Sequence, residues 1–220
     1  MNKNDVLTST FNWLFIGLLV CFCVSYITTF NETIIETIFY TFRGIGYVVY
    51  LVLDILLASI LSFIVHKLKP KTAKVLYIVY AAFTGISLTG IFAVHITTLV
   101  KYVFLAVAII YGIFAAIGQT RNIDLLKIRQ HLIEVLIGLI LLDIYNAIVF
   151  KNSLTVLNIT IIIISILLYC ALTACEVQHL IDNTFTPNCE KKGIFYAFQI
   201  FVYSLNIFVF FPKIFKKSRD

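Results

Sequence analysis

Charge is what this 220-residue chain has least of. Asp, Glu, Lys and Arg make up 13% of it, about half the ~25% of an ordinary soluble domain. Set against 61% hydrophobic residues, that shortage excludes a separate soluble domain and points to a polytopic membrane protein. Other absences narrow the chemistry. The N-terminal text MNKNDVLTSTFNWLF leads into an apolar run with no small-x-small cleavage site, so it reads as a retained first span rather than a signal peptide. The five cysteines, Cys21, Cys23, Cys170, Cys175 and Cys189, include no CxxC pair and no Cys/His cluster with metal-ligand spacing; four lie in apolar segments, where cysteine is a small hydrophobe. There is no phosphate loop and no nucleophile–base constellation, so neither an enzyme nor a bound cofactor is expected. The net charge of +6 is not a nucleic-acid signal, because the basic residues sit in short loops and the C-terminal tail. They read as topology signals and as contacts to anionic headgroups of the lipid bilayer.

What is there is a series of apolar runs. About 20 apolar residues cross the ~30 Å hydrocarbon core as a helix, and seven stretches qualify: about 11–30, 44–65, 75–95, 102–118, 132–150, 154–180 and 193–211. The expected fold is an all-α membrane protein, one transmembrane domain over residues 1–220. Pro70, in the basic loop 66–74, cannot continue the helix before it. Short connections between spans three and four and between five and six imply antiparallel hairpins. Rows of small residues four apart, Ala81/Gly85/Thr89 on span three and Ala108/Gly112/Ala116 on span four, predict that these two helices pack closely.

Loop charges set orientation. Lys3, Lys67, Lys69, Lys71, Lys74, Arg121, Lys127, Arg129, Lys191 and Lys192 fall on one side. Arg43, Lys101 and Lys151 fall on the other, with the basic tail beyond span seven. Ten against three points to a cytoplasmic N-terminus; seven full spans then put the tail outside, against the usual trend, unless span seven is re-entrant.

The polar residues inside spans carry the function, because an intramembrane acid is expensive and faces protein or water. Span six has no charged residue or histidine from Leu154 to Cys175 and then Glu176. Ser165, Tyr169, Thr173 and Glu176 share one helical face. Span seven carries a second stripe, Tyr196, Gln199, Tyr203 and Asn206. At ~1.5 Å per residue Glu176 and Tyr203 lie at similar depths, ~13 and ~15 Å from the connecting loop, where a carboxyl and a phenol can share a hydrogen bond. Asp54 lies near the centre of span two, above Ala58 and Ser62. It reads either as a hydrogen-bonded tie between helices or as part of an ion or proton path, pointing inward toward spans six and seven. Asp143 shares a face with Asn146 and Ala147 on span five, nearer the membrane surface, where a solvated or packing role is the simpler one. His66 and His95 flank loops as interface residues.

These residues resemble the Bax inhibitor-1 family. FNWLFIGLLVC in span one is similar to that family's aromatic-x-Trp-x-x-x-Gly-Leu opening. TGISLTGIF at 84–92 is similar to its Ser/Thr-Gly-Ile-Thr-Leu segment, and GQTRNIDLLKI at 118–128 to its Gly-x-x-x-x-x-Asp-Leu loop. CEVQHLI at 175–181 resembles its Tyr-Asp-x-Gln-x-Ile. AFQIFVYSLNIFVFF at 197–211 resembles its Ala-Leu-x-Leu-Tyr-Leu-Asp-Phe-Ile-Asn-Leu-Phe signature. The resemblance implies seven helices with the last one central between two three-helix layers, and a pH-sensitive calcium leak. It also implies a proton-sharing pair of acids on spans six and seven. Glu176 takes the first position; the second falls on Tyr203, which is no carboxylate, while Asn206 and Phe208 match their motif positions. Asp54 stands where a relative has an acid. The family's span-two arginine, thought to latch the span-six acid, falls near Val65, with His66 and Lys67 the nearest candidates.

The chain therefore reads as a calcium-leak channel in a bacterial cell membrane, pH-modulated through Glu176. Glu176, Tyr203, Asp54 and Asp143 are expected in the ion pathway, Thr173, Gln199, Asn206 and His66 in support, and Glu176 and Asp54 as calcium ligands. Calcium ions and protons are the expected permeant or bound species. Two alternatives come from other classes: a non-conducting regulator that binds another membrane protein such as a protease or cell-death factor, and a proton-coupled small-solute transporter. The transporter would be expected to carry inverted repeats or broken helices, and the sequence has neither.

Overall fold

The structure, a computed structural model, describes residues 3–31, 33, 36, 45–94, 109, 113, 117, 124–149, 155–182 and 189–216. Six helices and no strand are found among them: α1 (Lys3–Thr29), α2 (Ile45–Ile64), α3 (Pro70–Val94), α4 (Leu126–Val149), α5 (Thr155–Asp182) and α6 (Cys189–Lys216). Helices are the expected answer in lipid, where every backbone N–H and C=O needs a partner within its own segment. Three of them, over Val6–Thr29, Pro70–Thr89 and Val156–Asp182, are long and apolar enough to cross a membrane, and α2 adds the shorter apolar run Val52–Ile64. The expected fourth span, 102–118, falls outside the described residues except at 109, 113 and 117.

The helices outrun the apolar segments that mark them in the sequence. α1 begins at Lys3 rather than 11, α4 at Leu126 rather than 132, and α6 extends from Cys189 to Lys216 rather than 193–211. Backbone hydrogen bonding continues into polar sequence once a helix is nucleated, so the apolar run bounds the membrane portion and not the helix. Pro70 ends the turn before it and opens the next helix. It occupies the first position of α3, where its missing N–H is no loss, and a 3₁₀ turn over Val65–Lys67 leads into it.

The chain forms two compact units, residues 1–100 with 183–202 and residues 101–182 with 203–220. In the first, α1 and α3 are the main packed pair. Small residues set their approach. A Cβ built on Gly85 would lie 2.6 Å from the Cys21 carbonyl oxygen and 3.2 Å from its Cα, so α1's backbone fills that space. The Thr28 and Thr89 hydroxyls hydrogen-bond across the same seam. The row Ala81/Gly85/Thr89 therefore meets α1 at Gly85 and Thr89. The expected pairing of this row with span four falls on Ala108, Gly112 and Ala116, which lie outside the described residues. Spacing shows that a helix face is small, not which neighbour uses it.

Two turns into α3, Tyr77 is fully buried. Its hydroxyl donates to the Trp13 carbonyl at 3.0 Å, over Gly17, where an added Cβ would sit 2.0 Å from the Tyr77 oxygen. The ring stands edge-on to Phe198 and Phe201 of α6 at centroid distances of 6.3 and 5.5 Å, and Tyr80 adds contacts to the same two rings. Such aromatic pairs contribute ~0.5–1.5 kcal/mol each beyond the area they bury.

In the second unit α4 packs against α5. Buried Asn146 donates its amide to Asn158 across the pair, the kind of interhelical polar bond that membrane helices use in place of a hydrophobic drive.

Glycine substitutions separate these packing roles. Gly85→Val forces α1 from α3, and Gly17→Ala displaces the Tyr77 ring from its hydrogen bond; overpacking of this kind costs ~1–3 kcal/mol. Gly138 on α4 has nothing within 4 Å of an added Cβ, so Gly138→Ala is neutral or gains up to ~1 kcal/mol of helix propensity. Thermal unfolding of the detergent-solubilised variants checks this. A Gly85→Val Tm at or above that of Gly138→Ala contradicts the close-approach account.

Candidate functional site

The site grows from the C-terminal part of α5. From Leu172 to Gln178 every residue of this helix is buried, and Glu176 has 0% of its side chain exposed. A carboxylate so placed needs a counter-charge or enough hydrogen bonds. Arg129, in the first turn of α4 and 32% exposed, supplies the charge. Its Nη2 and Nε donate to Glu176 Oε1 at 2.5 and 3.1 Å. Both donors converge on one oxygen. Glu176 Oε2 is buried and has no hydrogen-bond partner among the described residues.

The neighbours of Glu176 hold the other side of the pair in place. Gln178 Oε1 accepts from the Leu125 backbone N–H at 2.7 Å, and Cys175 Sγ donates weakly to the Leu125 carbonyl at 3.4 Å. The Leu125 N–H sits just ahead of α4, where backbone donors lack intrahelical partners, and Gln178 satisfies it. Cys175, Glu176 and Gln178 thus grip residues 125–129 at both backbone and side chain. This positions the guanidinium one turn inside the helix rather than in a solvated loop.

The other expected residues fall in several places. Tyr203 is half-buried and its ring packs on that of Tyr169, centroids 6.1 Å apart; the expected phenol bond to Glu176 is absent among the described residues, and Arg129 is the donor instead. The geometric reason is that α4 begins six residues early and brings its arginine to the carboxylate. Glu176 takes its cation from α4; of the latch candidates near Val65, the His66 side chain lies outside the described residues. Thr173 is buried and its hydroxyl donates to the Tyr169 carbonyl at 2.8 Å, the common arrangement for a threonine inside a helix. Asp54 is half-buried and accepts from Thr84 Oγ1 on α3 at 2.8 Å; it ties α2 to α3 within the first unit. Asp143 is half-buried, while its face-mate Asn146 bonds Asn158. Gln199 and Asn206 are half-buried on α6. The side chain of His66 and the whole of His95 lie outside the described residues. Among the described residues no group of three or more His, Cys, Asp and Glu side chains could hold a metal ion, so the expectation of calcium ligands at Glu176 and Asp54 gains no cluster around either one.

Arg129 and Gln178 are the residues that sequence reasoning missed. A signal for Arg129 exists. Leu126, Arg129, Leu132, Ile133, Leu136, Leu139 and Asp143 are all half-buried while the positions between them are mostly exposed. They recur at the three-and-four spacing of one helix face, and Arg129 is the cation on that inward stripe. Counting it as a loop charge obscured this.

Comparison with known proteins places this arrangement in context. A family model described as "Inhibitor of apoptosis-promoting Bax1" matches residues 3–220. An uncharacterized protein of Borreliella burgdorferi is 26% identical over 223 residues, covering 99% of this chain and 94% of the relative. The inner membrane protein YbhL of Escherichia coli K12 is 26% identical over 219 residues, covering 97% and 92%. An uncharacterized protein of Rickettsia prowazekii is 24% identical over 215 residues, covering 96% and 88%. A helical chain with membrane-length apolar helices and a family match over nearly its whole length leaves one assignment: this protein belongs to the Bax inhibitor-1 family of membrane proteins.

Proposed function

We propose that the protein is a calcium-leak channel whose opening is modulated by pH through the Glu176–Arg129 pair. The observation that supports this reading best is a fully buried carboxylate on a membrane-length helix, held by one arginine through one of its two oxygens. Oε2 is the atom left to receive a proton. When it does, the charge on Glu176 is gone, the attraction for the guanidinium falls, and the first turn of α4 loses its ionic tie to α5. When the proton leaves, the tie re-forms. Tyr203, in the position of a second acid, adds no carboxylate, and a phenol stays protonated near neutrality. A coupled acid pair titrates in two steps, and this position offers no second carboxylate to form one.

In this reading seven helices cross a bacterial cell membrane, with the last one central. The E. coli relative is named as an inner membrane protein, which supports the compartment. The asymmetry of loop lysines and arginines supports a cytoplasmic N-terminus; taking Arg129 out of the loops leaves nine against three. Labelling of Asn2→Cys and Asp220→Cys by a membrane-impermeant maleimide in intact cells is expected to modify only the second. Modification of both, or of neither, means that the number of crossings is even.

Calcium flux into protein-only liposomes between pH 5 and 8 tests the function. Wild type is expected to leak with a single shallow pH dependence. Glu176→Gln abolishes that dependence, Arg129→Gln alters it while keeping the carboxyl, and Tyr203→Asp adds a second step. Arg129→Gln leaves a buried charge unpaired and also costs ~3–5 kcal/mol of stability, which a thermal melt reads separately. Flux and pH profile unchanged in Glu176→Gln make the pair structural only. No flux in wild type leaves the family intact and favours the non-conducting regulator.

A further inference from the structure

We infer that the turn between α2 and α3 forms, with the start of α3 and Trp13 of α1, a binding site for an anionic phospholipid headgroup. Lys67, Lys69 and Lys71 are all exposed and make no ion pair among the described residues. They crowd into five positions because the 3₁₀ turn Val65–Lys67, the extended Leu68 and Pro70 at the head of α3 leave no room for a longer loop. One turn further on, the Lys74 ammonium lies 5.1 Å from the centre of the Trp13 ring. Trp13 is itself fixed. Its ring meets Tyr77 edge-on at 6.4 Å and its carbonyl accepts the Tyr77 hydroxyl.

The placement selects the ligand. The three exposed lysines immediately precede or open the apolar stretch Pro70–Thr89, so they sit where that helix leaves the hydrocarbon. Trp13 is half-buried, and tryptophan with lysine is the pair that anchors membrane helices at headgroup depth. Three like charges held together without a described acid call for an anion, and at that depth the abundant anion is a lipid phosphate. Each lysine near an anionic surface is worth ~1 kcal/mol, about fivefold in local concentration. The site is independent of Glu176 and of whether the protein conducts.

Trp13 is the single tryptophan of the chain, so its fluorescence reports on this site alone. The full-length protein is reconstituted in phosphatidylcholine nanodiscs containing a minor fraction of brominated phosphatidylglycerol or, in parallel, the same fraction of brominated phosphatidylcholine. The expected result is quenching that corresponds to at least about fivefold enrichment of the glycerol lipid around Trp13. That excess is lost in the triple variant Lys67→Gln/Lys69→Gln/Lys71→Gln, whose exposed substitutions leave the melt unchanged, and it is suppressed at high salt, where the Debye length shrinks to ~3 Å. Equal quenching by the two lipids in wild type overturns the inference, as does a preference that survives in the triple variant. A soluble arm with glycerol phosphate separates the sources: cancellation of the preference by millimolar glycerol phosphate assigns the lysines to a free phosphate ligand and also overturns the lipid site.

Discussion

A carboxylate without exposed surface is tolerated only where something compensates its charge, and much of the second unit can be understood from that constraint. Glu176 cannot give up its hydration without Arg129, and Arg129 cannot reach it unless α4 starts early and in the right register. Gln178 and Cys175 secure that register through the Leu125 backbone. The grip involves residues separated by little along α5, so a small rotation of α5 disturbs the ion pair and the backbone contacts together. Removing one partner of such a pair costs more than the pair contributes, because the survivor is left buried and charged. The interaction is thus better suited to holding one arrangement against another than to adding stability.

The first unit works by a different rule. Among the described residues its main seam holds a hydroxyl pair and glycines rather than charges. Where backbones touch, as at Gly85 and Cys21, dispersion contacts replace the hydrophobic drive that lipid does not supply. Asp54 fits this pattern, since its partner is a threonine hydroxyl and not a cation. The two acids that looked equivalent as intramembrane carboxylates therefore have different chemistry. One is salt-bridged and fully buried, the other half-buried and hydrogen-bonded.

Most of the helices were legible in the sequence because apolar runs of membrane length leave few alternatives, and the family resemblance rested on text distributed along the whole chain. Their ends were less legible. Lys3–Thr10 and Leu126–His131 are helical without being uniformly apolar, so hydropathy alone passed over them. Glu176 stood out because a lone acid in an oily helix costs free energy wherever it points. Its partner did not, since the nearest basic residues to a span in sequence are many, and which one reaches inward depends on the starting residue of a neighbouring helix. Similarly, the small face of α3 was evident from Ala81, Gly85 and Thr89, but a small face fits any neighbour, and only the packed structure assigns it to α1. The polar stripe on span seven gave Tyr203 a depth without a rotamer, which is why a ring-on-ring contact with Tyr169 replaced the hydrogen bond expected of its hydroxyl.

The notch at Gly17 has a consequence for how such chains diverge. The Tyr77 ring occupies the volume in which any other side chain at position 17 would begin, and its hydroxyl is anchored to the carbonyl of Trp13. The two positions therefore share one fixed volume and cannot drift independently. Bulk at 17 displaces the tyrosine ring at 77, and with it the edge-on contacts to Phe198 and Phe201. A change at one glycine thereby reaches three aromatic side chains spread over two other helices.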